Sequence, residues 1–257
     1  IREKTILFGS NGYIGSFLKH ELKENYNIFP VHRNNFNNFM LNKDKVFKDL
    51  TKINIIYLIL NNKKKEFIKE NIKILNKVIK NFSKYKINNF ILLSSTHSHN
   101  YEYLKLNKLR EKIVEKSYKN NHFILNPGKV FGYKTVKSNY GINSFLNDIK
   151  KNNIKIFGTG KNYCPHTYIN DLKNLIVLFL KSNFKSGKYY LYDKKKISFI
   201  EIANKIIKYS SNNNKIKITY TGKALNYKVN KPYIFKAKMF KYSNINQNIK
   251  KIYNERV

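Results

Sequence analysis

The chain has 257 residues, enough for one large domain or a domain with a smaller lobe, and enough to bury a core without disulfide or metal staples. Its one cysteine, Cys164, excludes an intrachain disulfide framework and fits a reducing compartment. A formal net charge of +36, from 51 Lys and Arg against 15 Asp and Glu, raises a polyanion partner such as nucleic acid.

That charge is nearly all lysine. Arg stands only at 2, 33, 110 and 256, and the lysines are spread along the chain, whereas base-reading surfaces favour the forked donors of Arg. With Asn, Ile, Tyr and Phe abundant and Trp absent, the bias reads as AT-rich coding, and nucleic acid is the remote alternative. The longest apolar runs, Ile53–Leu60 and Leu175–Leu180, are far short of the roughly 20 residues of a membrane span. Residues 1–4 have no signal-peptide shape, so a soluble, cytoplasmic protein is expected.

Taken in order, Thr5–Phe8 has a buried-strand pattern, followed by a glycine turn and a helix over about 13–25. Strands are expected at 27–32 and 53–60. The stretch 64–82 carries Phe67, Ile68, Ile72, Leu75, Val78, Ile79 and Phe82 at helical spacing under a lysine-rich outer face. A strand at 89–93, a helix at 104–118 and a strand at 122–125 follow. This alternation predicts βαβ units and a parallel sheet covered on both faces. Beyond it come a helix at 142–151, a strand at 154–157, an apolar helix at 170–181 and a strand at 188–192. A helix at 198–209 is capped by Ser198 with Glu201 three residues on, and a strand lies at 215–219. The remainder reads as irregular. The expected fold is α/β: a Rossmann-type doubly wound parallel sheet with a smaller mixed C-terminal lobe. The dinucleotide domain covers 1–132 and the lobe 133–257, with helix 170–181 and strand 188–192 returning to the first domain.

The sharpest motif is Gly9-Ser10-Asn11-Gly12-Tyr13-Ile14-Gly15, directly after the first strand and opening the first helix. Gly9 makes the tight turn, Gly12 lets backbone approach a pyrophosphate, and Gly15 lets helix pack on strand. The helix N-terminus adds positive potential for phosphates. The second strand ends Val31-His32-Arg33-Asn34 with no acid to bond an adenosine ribose, and Arg33 can pair with a 2′-phosphate. NADP(H) is therefore expected ahead of NAD(H).

The G-x-x-G-x-x-G spacing resembles the extended branch of the short-chain dehydrogenase/reductase superfamily, the nucleotide-sugar epimerases, dehydratases and reductases. Further segments are similar in the same order, over roughly residues 5–210: Asn71 in Glu70–Leu75, the strand Phe90–Leu93 running into Ser94-Ser95-Thr96, Asn126-Pro127-Gly128-Lys129-Val130-Phe131-Gly132, Phe157-Gly158-Thr159-Gly160, and His166–Leu172. The resemblance implies an NAD(P)-dependent enzyme acting on a nucleotide-activated sugar, most simply a keto-sugar reductase in surface-polysaccharide synthesis. An epimerase or dehydratase, or a catalytically degenerate NAD(P)-binding regulator, is the alternative. It implies cofactor contacts from the glycine loop, His32, Arg33, Asn42, Leu60, Lys105 and Pro127. Substrate contacts would come from Thr96, His97, Asn126, Lys129 and Val130. A homodimer built on the helices at 64–82 and 104–118 is also implied.

In that superfamily a tyrosine exchanges the hydroxyl proton, a lysine four residues on favours its phenolate, and a Ser/Thr hydroxyl, here Ser95, orients the substrate oxygen. Two registers fit. Tyr101 with Lys105 satisfies Tyr-x-x-x-Lys, whereas Tyr103-Leu104-Lys105-Leu106-Asn107-Lys108-Leu109-Arg110-Glu111 matches the longer Tyr-x-x-x-Lys-x-x-x-Glu pattern with Asn107 in the lysine's place. The chemistry favours Tyr101 with Lys105, because Asn107 carries no charge. Ser95 and Tyr101 are only six residues apart, far fewer than extended members place between these groups, and Asn126 stands where an arginine is usual. His97 and His99 lack the cysteines or paired acids of a metal site and read as loop residues, and no metal is expected.

Overall fold

The computed structural model describes residues 3–47, 52–60, 66–95, 101–132, 141–181, 184–191, 197–210, 215–222 and 242–256. The chain divides into two compact units, one formed by residues 1–95, 100–126 and 176–189, the other by 96–99, 127–175 and 190–257.

The first unit is built on a six-stranded sheet in the order β2-β1-β3-β4-β5-β9: β1 Lys4–Phe8, β2 Asn27–Val31, β3 Ile53–Tyr57, β4 Ile87–Leu93, β5 His122–Pro127 and β9 Gly187–Leu191. Strands β1 to β5 run parallel, with Ile6 paired to Phe29 on one side and to Ile55 on the other. Helices α1 Tyr13–Leu22, α2 Phe36–Val46, α3 Phe67–Phe82 and α4 Tyr101–Ser117 lie between them in sequence. Side chains alternate across each strand, so both faces must be covered. Ile6, Phe8, Ile55, Tyr57, Phe90 and Leu92 join one aromatic-rich core with Met40 of α2, Leu75, Val78 and Phe82 of α3 and Val114 of α4. The alternate residues Leu7, Ile56, Ile91 and Phe123 are equally buried, and Phe179 stacks on Phe123 with ring centres 4.6 Å apart. Pro30 sits in edge strand β2, the one kind of strand that tolerates a missing N–H. This is the expected doubly wound α/β sheet.

The second unit contains α5 Ile142–Asp148, continued by a short 3₁₀ turn, α7 Phe199–Tyr209 and α8 Ile245–Arg256. Two parallel strand pairs accompany them: β7 Asn153–Phe157 with β10 Lys217–Thr221, and β6 Lys129–Phe131 with β8 His166–Tyr168. Helix α6 Ile169–Lys181 and strand β9 cross from one unit to the other along the chain. The Ser198 cap has the expected form: its hydroxyl accepts from the Glu201 amide at 3.2 Å, and the Glu201 carboxylate accepts from the Ser198 amide at 2.6 Å.

Several elements differ from the sequence reading. The first long segment of the second unit starts at Pro127, ahead of the expected boundary after residue 132, and takes in β6, which pairs with β8 of that unit. Helix α2 was hidden in the asparagine-rich run 34–42, although Phe36, Phe39 and Met40 carry its spacing. The C-terminal stretch is not wholly irregular: Ile245, Ile249, Ile252 and Tyr253 are buried along one face of α8. Asp171 anchors the approach to that helix, accepting from the Ser243 hydroxyl at 2.8 Å and the Ser243 amide at 3.2 Å. Helix α4 starts at Tyr101, three residues before the expected position, and β3 stops at Tyr57, so Leu60 lies in the loop after it.

Candidate dinucleotide and catalytic sites

The sheet order reverses at β1, with β2 on one side and β3 on the other, and the glycine loop leaves β1 at this switch point. Open α/β sheets take ligands in the crevice such a reversal leaves at the carboxyl ends of their strands. Gly9 adopts φ +88, the left-handed region that favours glycine. The amides of Gly9 and Ser10 both donate to the Val31 carbonyl, at 2.8 and 3.1 Å, which ties the turn to the end of β2. A Cβ on Gly15 would overlap the Gly9 carbonyl oxygen and come within 2.8 Å of Gly9 C, so α1 can pack this closely only with glycine there. Gly12 caps α1 without any side-chain hydrogen bond, and a Cβ there would meet nothing but the Gly9 oxygen at 3.4 Å. Backbone is thus uncovered at Gly12, beside the exposed Asn11, and the helix N-terminus adds positive potential there. This is a fit for an anionic diphosphate.

A cleft of about 790 Å³ opens at the loop, lined by Gly9, Asn11, Gly12, His32, Arg33 and Leu60, with Glu70 of α3 facing it as well. All seven belong to the first unit. Of the other expected cofactor residues, Ser10 and Gly15 are buried supports, and Tyr13 and Ile14 are half-buried in the first turn of α1. Asn42 does not line this cleft; it is spent one turn back, donating to the Asn38 carbonyl at 3.0 Å and its side-chain oxygen at 2.8 Å. Pro127 ends β5 and is counted with the second unit.

Helix α4 sorts the catalytic candidates by face. Tyr101 is 75% exposed and Lys105 is also exposed, so this pair shares the outer face. Tyr103 is half-buried, and the turns beneath it on the same face carry the buried Asn107, Arg110 and Glu111. The structure thus separates the register that the lysine favours from the face that turns inward. Ser95 is half-buried just beyond β4. Its neighbour Ser94 is committed to the framework, its hydroxyl donating to Glu111 at 2.5 Å. Glu111 and Glu115 in turn hold Lys188, at 2.9 and 3.2 Å. Burial pushes the Lys188 ammonium down, but the two carboxylates outweigh it and the group is held above its ordinary value. Thr96, His97 and His99 lie outside the described residues.

Asn126 is buried at 3% exposure, and its amide nitrogen has no partner among the described residues. Lys129 and Val130 are half-buried in β6, with the Lys129 ammonium 5.1 Å from the Phe199 ring centre. Cys164 is buried, and burial, partly opposed by Lys129, pushes its thiol up to about 12, which makes it a packing residue and no nucleophile. The described residues contain no cluster of metal-ligating side chains and no helix long and apolar enough to cross a membrane.

Sequence reading missed Arg110, Glu70 and the loop residues Leu58 and Ile59. Arg110 left one signal: it is among only four arginines, seven residues after Tyr103 and therefore on the same helical face.

No family model and no curated protein matches the sequence. Solved structures match the fold over almost the whole chain. UDP-glucose 4-epimerase from Thermotoga maritima superposes with a TM-score of 0.79 at 14% identity, covering 98% of this chain and 97% of that one. GDP-L-fucose synthetase from Naegleria fowleri gives 0.76 at 15% identity, covering 98% and 92%. The dTDP-glucose 4,6-dehydratase from Bacillus anthracis, solved in complex with NAD, gives 0.76 at 14% identity, covering 98% and 96%. The chain therefore has the fold of the extended short-chain dehydrogenase/reductases, the same group its motifs resemble.

Proposed function

We propose that the chain binds a nicotinamide dinucleotide and uses it to reduce a nucleotide-activated keto-sugar. The observation that carries this reading is the glycine loop: backbone uncovered at Gly12 at a switch point, opening onto a cleft lined by Asn11, His32 and Arg33. The motif order and the fold shared with epimerases, a dehydratase and a fucose synthetase support the substrate class. When bound, the cofactor supplies the hydride; everything else falls to the chain. Backbone at Gly12 and the first turn of α1 receive the diphosphate. Ser95 orients the substrate oxygen, and a tyrosine of α4 gives or takes its proton. Tyr103 is the better placed candidate, because Tyr101 and Lys105 face outward.

Arg33 at the end of β2 supports NADP(H), through a charged bond to a 2′-phosphate. Glu70, which lines the same cleft, favours the second reading, NAD(H). Fluorescence titration with NADPH and NADH separates them. Tighter NADPH binding that Arg33→Ala abolishes supports the first, and unchanged binding in that variant supports the second. The reaction itself is tested by NADPH oxidation with a nucleotide-linked 4-keto sugar. Stoichiometric consumption supports a reductase, isomerisation of the sugar with no net consumption supports an epimerase, and binding without turnover supports a regulator.

A further inference from the structure

The glycine loop occupies the carboxyl edge of the sheet. At the amino edge, where β4 begins and α3 and α4 end, lies a cavity that the dinucleotide reading leaves unused. It measures about 280 Å³, with Ile79 and Phe82 of α3, Ile87 of β4 and the rings of Tyr85 and Tyr118 among its walls. All of these residues belong to the first unit. The volume is near the lower end of small-molecule sites, roughly 300–1,000 Å³. It exceeds the roughly 150 Å³ in which an apolar cavity holds benzene.

The walls are set by bonds that need no ligand. The Tyr85 hydroxyl donates to Asp44, and its ring centre is 5.5 Å from that of Phe82. Asn121, which also lines the cavity, donates its side-chain amide to the Ile87 carbonyl and its backbone N–H to the Tyr118 carbonyl. The Tyr118 ring stacks on Phe90 of β4 with centres 4.6 Å apart. Three aromatic rings beside two isoleucines suit a flat aromatic ligand better than an extended or polar one.

Two features add chemistry to that shape. Tyr118 is 9% exposed, and its hydroxyl has no hydrogen-bond partner among the described residues. Burial pushes the phenol up to about 12, so it keeps its proton and is a donor with nothing to bind. Folded proteins seldom leave such a group unspent. The second feature is charge. Lys80, Lys86, Lys116 and Lys119 are exposed, each next in sequence to a residue that lines the cavity. The acids of the same elements are already engaged: Asp44 with Tyr85 and Lys84, Glu115 with Lys188. The field at the mouth therefore favours an anion.

We propose that this cavity binds a small aromatic carboxylate bearing a ring hydroxyl. The ring lies among Ile79, Phe82 and Tyr85, the hydroxyl accepts from Tyr118, and the carboxylate stays at the mouth among the lysines.

The probe is 4-hydroxybenzoate, followed by NMR of the isoleucine methyl groups. Titration should shift the Ile79 and Ile87 methyls and leave those of Ile59 and Ile74, which line the dinucleotide cleft, in place. Tyr118→Phe discards a hydroxyl and orphans no partner, so its melting temperature should hold or rise. It should bind 4-hydroxybenzoate about two- to tenfold more weakly, as expected for one lost hydrogen bond, and benzoate as wild type does. The double variant Lys86→Glu/Lys119→Glu should weaken both carboxylates and leave phenol unchanged. Ser117→Trp, at an exposed lining position, should block all three. Absence of shifts at Ile79 and Ile87 with millimolar probe, wild-type affinity for 4-hydroxybenzoate in Y118F, or phenol binding as tight as that of 4-hydroxybenzoate would each overturn the inference.

Discussion

Gly15 lies directly against the carbonyl of Gly9, with no room for a methyl group between the first turn of α1 and the loop that precedes it. The contact sets how near the helix N-terminus comes to the sheet edge, and hence where its amides stand. Gly15→Ala must push backbone away from backbone, the stiffest kind of overlap. We expect a loss of about 1–3 kcal/mol of stability together with loss of NADPH binding, read by chemical denaturation and fluorescence titration. Gly12→Ala, whose Cβ meets little of the protein, should leave stability nearly unchanged while weakening NADPH binding. If Gly12→Ala binds NADPH normally, the loop is only a turn.

Lys188 joins β9 to α4 through Glu111 and Glu115. Its folded value is raised, so the stabilisation it brings is fully present below the unfolded lysine value of about 10.4 and is lost as pH rises through the folded value. Lys188→Met should lower the melting temperature at pH 8, with the gap to wild type narrowing toward pH 11. A gap that does not change with pH would show that the ammonium's charge plays no part.

Asp44 shows the opposite sign. The Tyr85 hydroxyl and then the Lys84 ammonium donate to its carboxylate and hold it down at about 2. Its contribution is present above the unfolded value of about 3.9 and disappears as pH falls through 2. Asp44→Asn should therefore be less stable than wild type at pH 5, and the difference should shrink by pH 2. Carboxyl NMR titration of the wild type and Tyr85→Phe gives the cause: the midpoint should rise when the tyrosine hydroxyl is removed.

Cys164 should be silent in the native state. With its thiol buried and pushed up to about 12, a disulfide exchange reagent at pH 8 should label it only after unfolding in urea. Rapid labelling of the folded protein would mean that the segment around Cys164 opens.

Local pattern carried much of the architecture. The apolar run Thr5–Phe8 followed by Gly9, Gly12 and Gly15 specifies a strand, a turn and a close-packed helix whatever the rest of the chain does, because those constraints act between residues near in sequence. The Ser198–Glu201 box and the stripe from Phe67 to Phe82 were legible for the same reason. Helix α8 was equally written in the spacing of Ile245, Ile249 and Ile252, but isoleucine is so common in this chain that the stripe did not stand out.

Tertiary structure alone decided which face helix α4 presents. Sequence offers Tyr101 and Tyr103 as near equals two residues apart, and two residues along a helix is more than half a turn, so only one of them can follow the buried face. Which one does so depends on how α4 docks on β3 and β4, through Tyr57, Leu93 and Ser94, residues brought to it from distant parts of the chain. That docking buries Asn107 and Arg110 beneath Tyr103 and leaves Tyr101 and Lys105 facing water. Charge made Lys105 the attractive choice in the sequence; burial, which depends on everything packed around a residue, puts Tyr103 on the inward face and Tyr101 with Lys105 on the outward one.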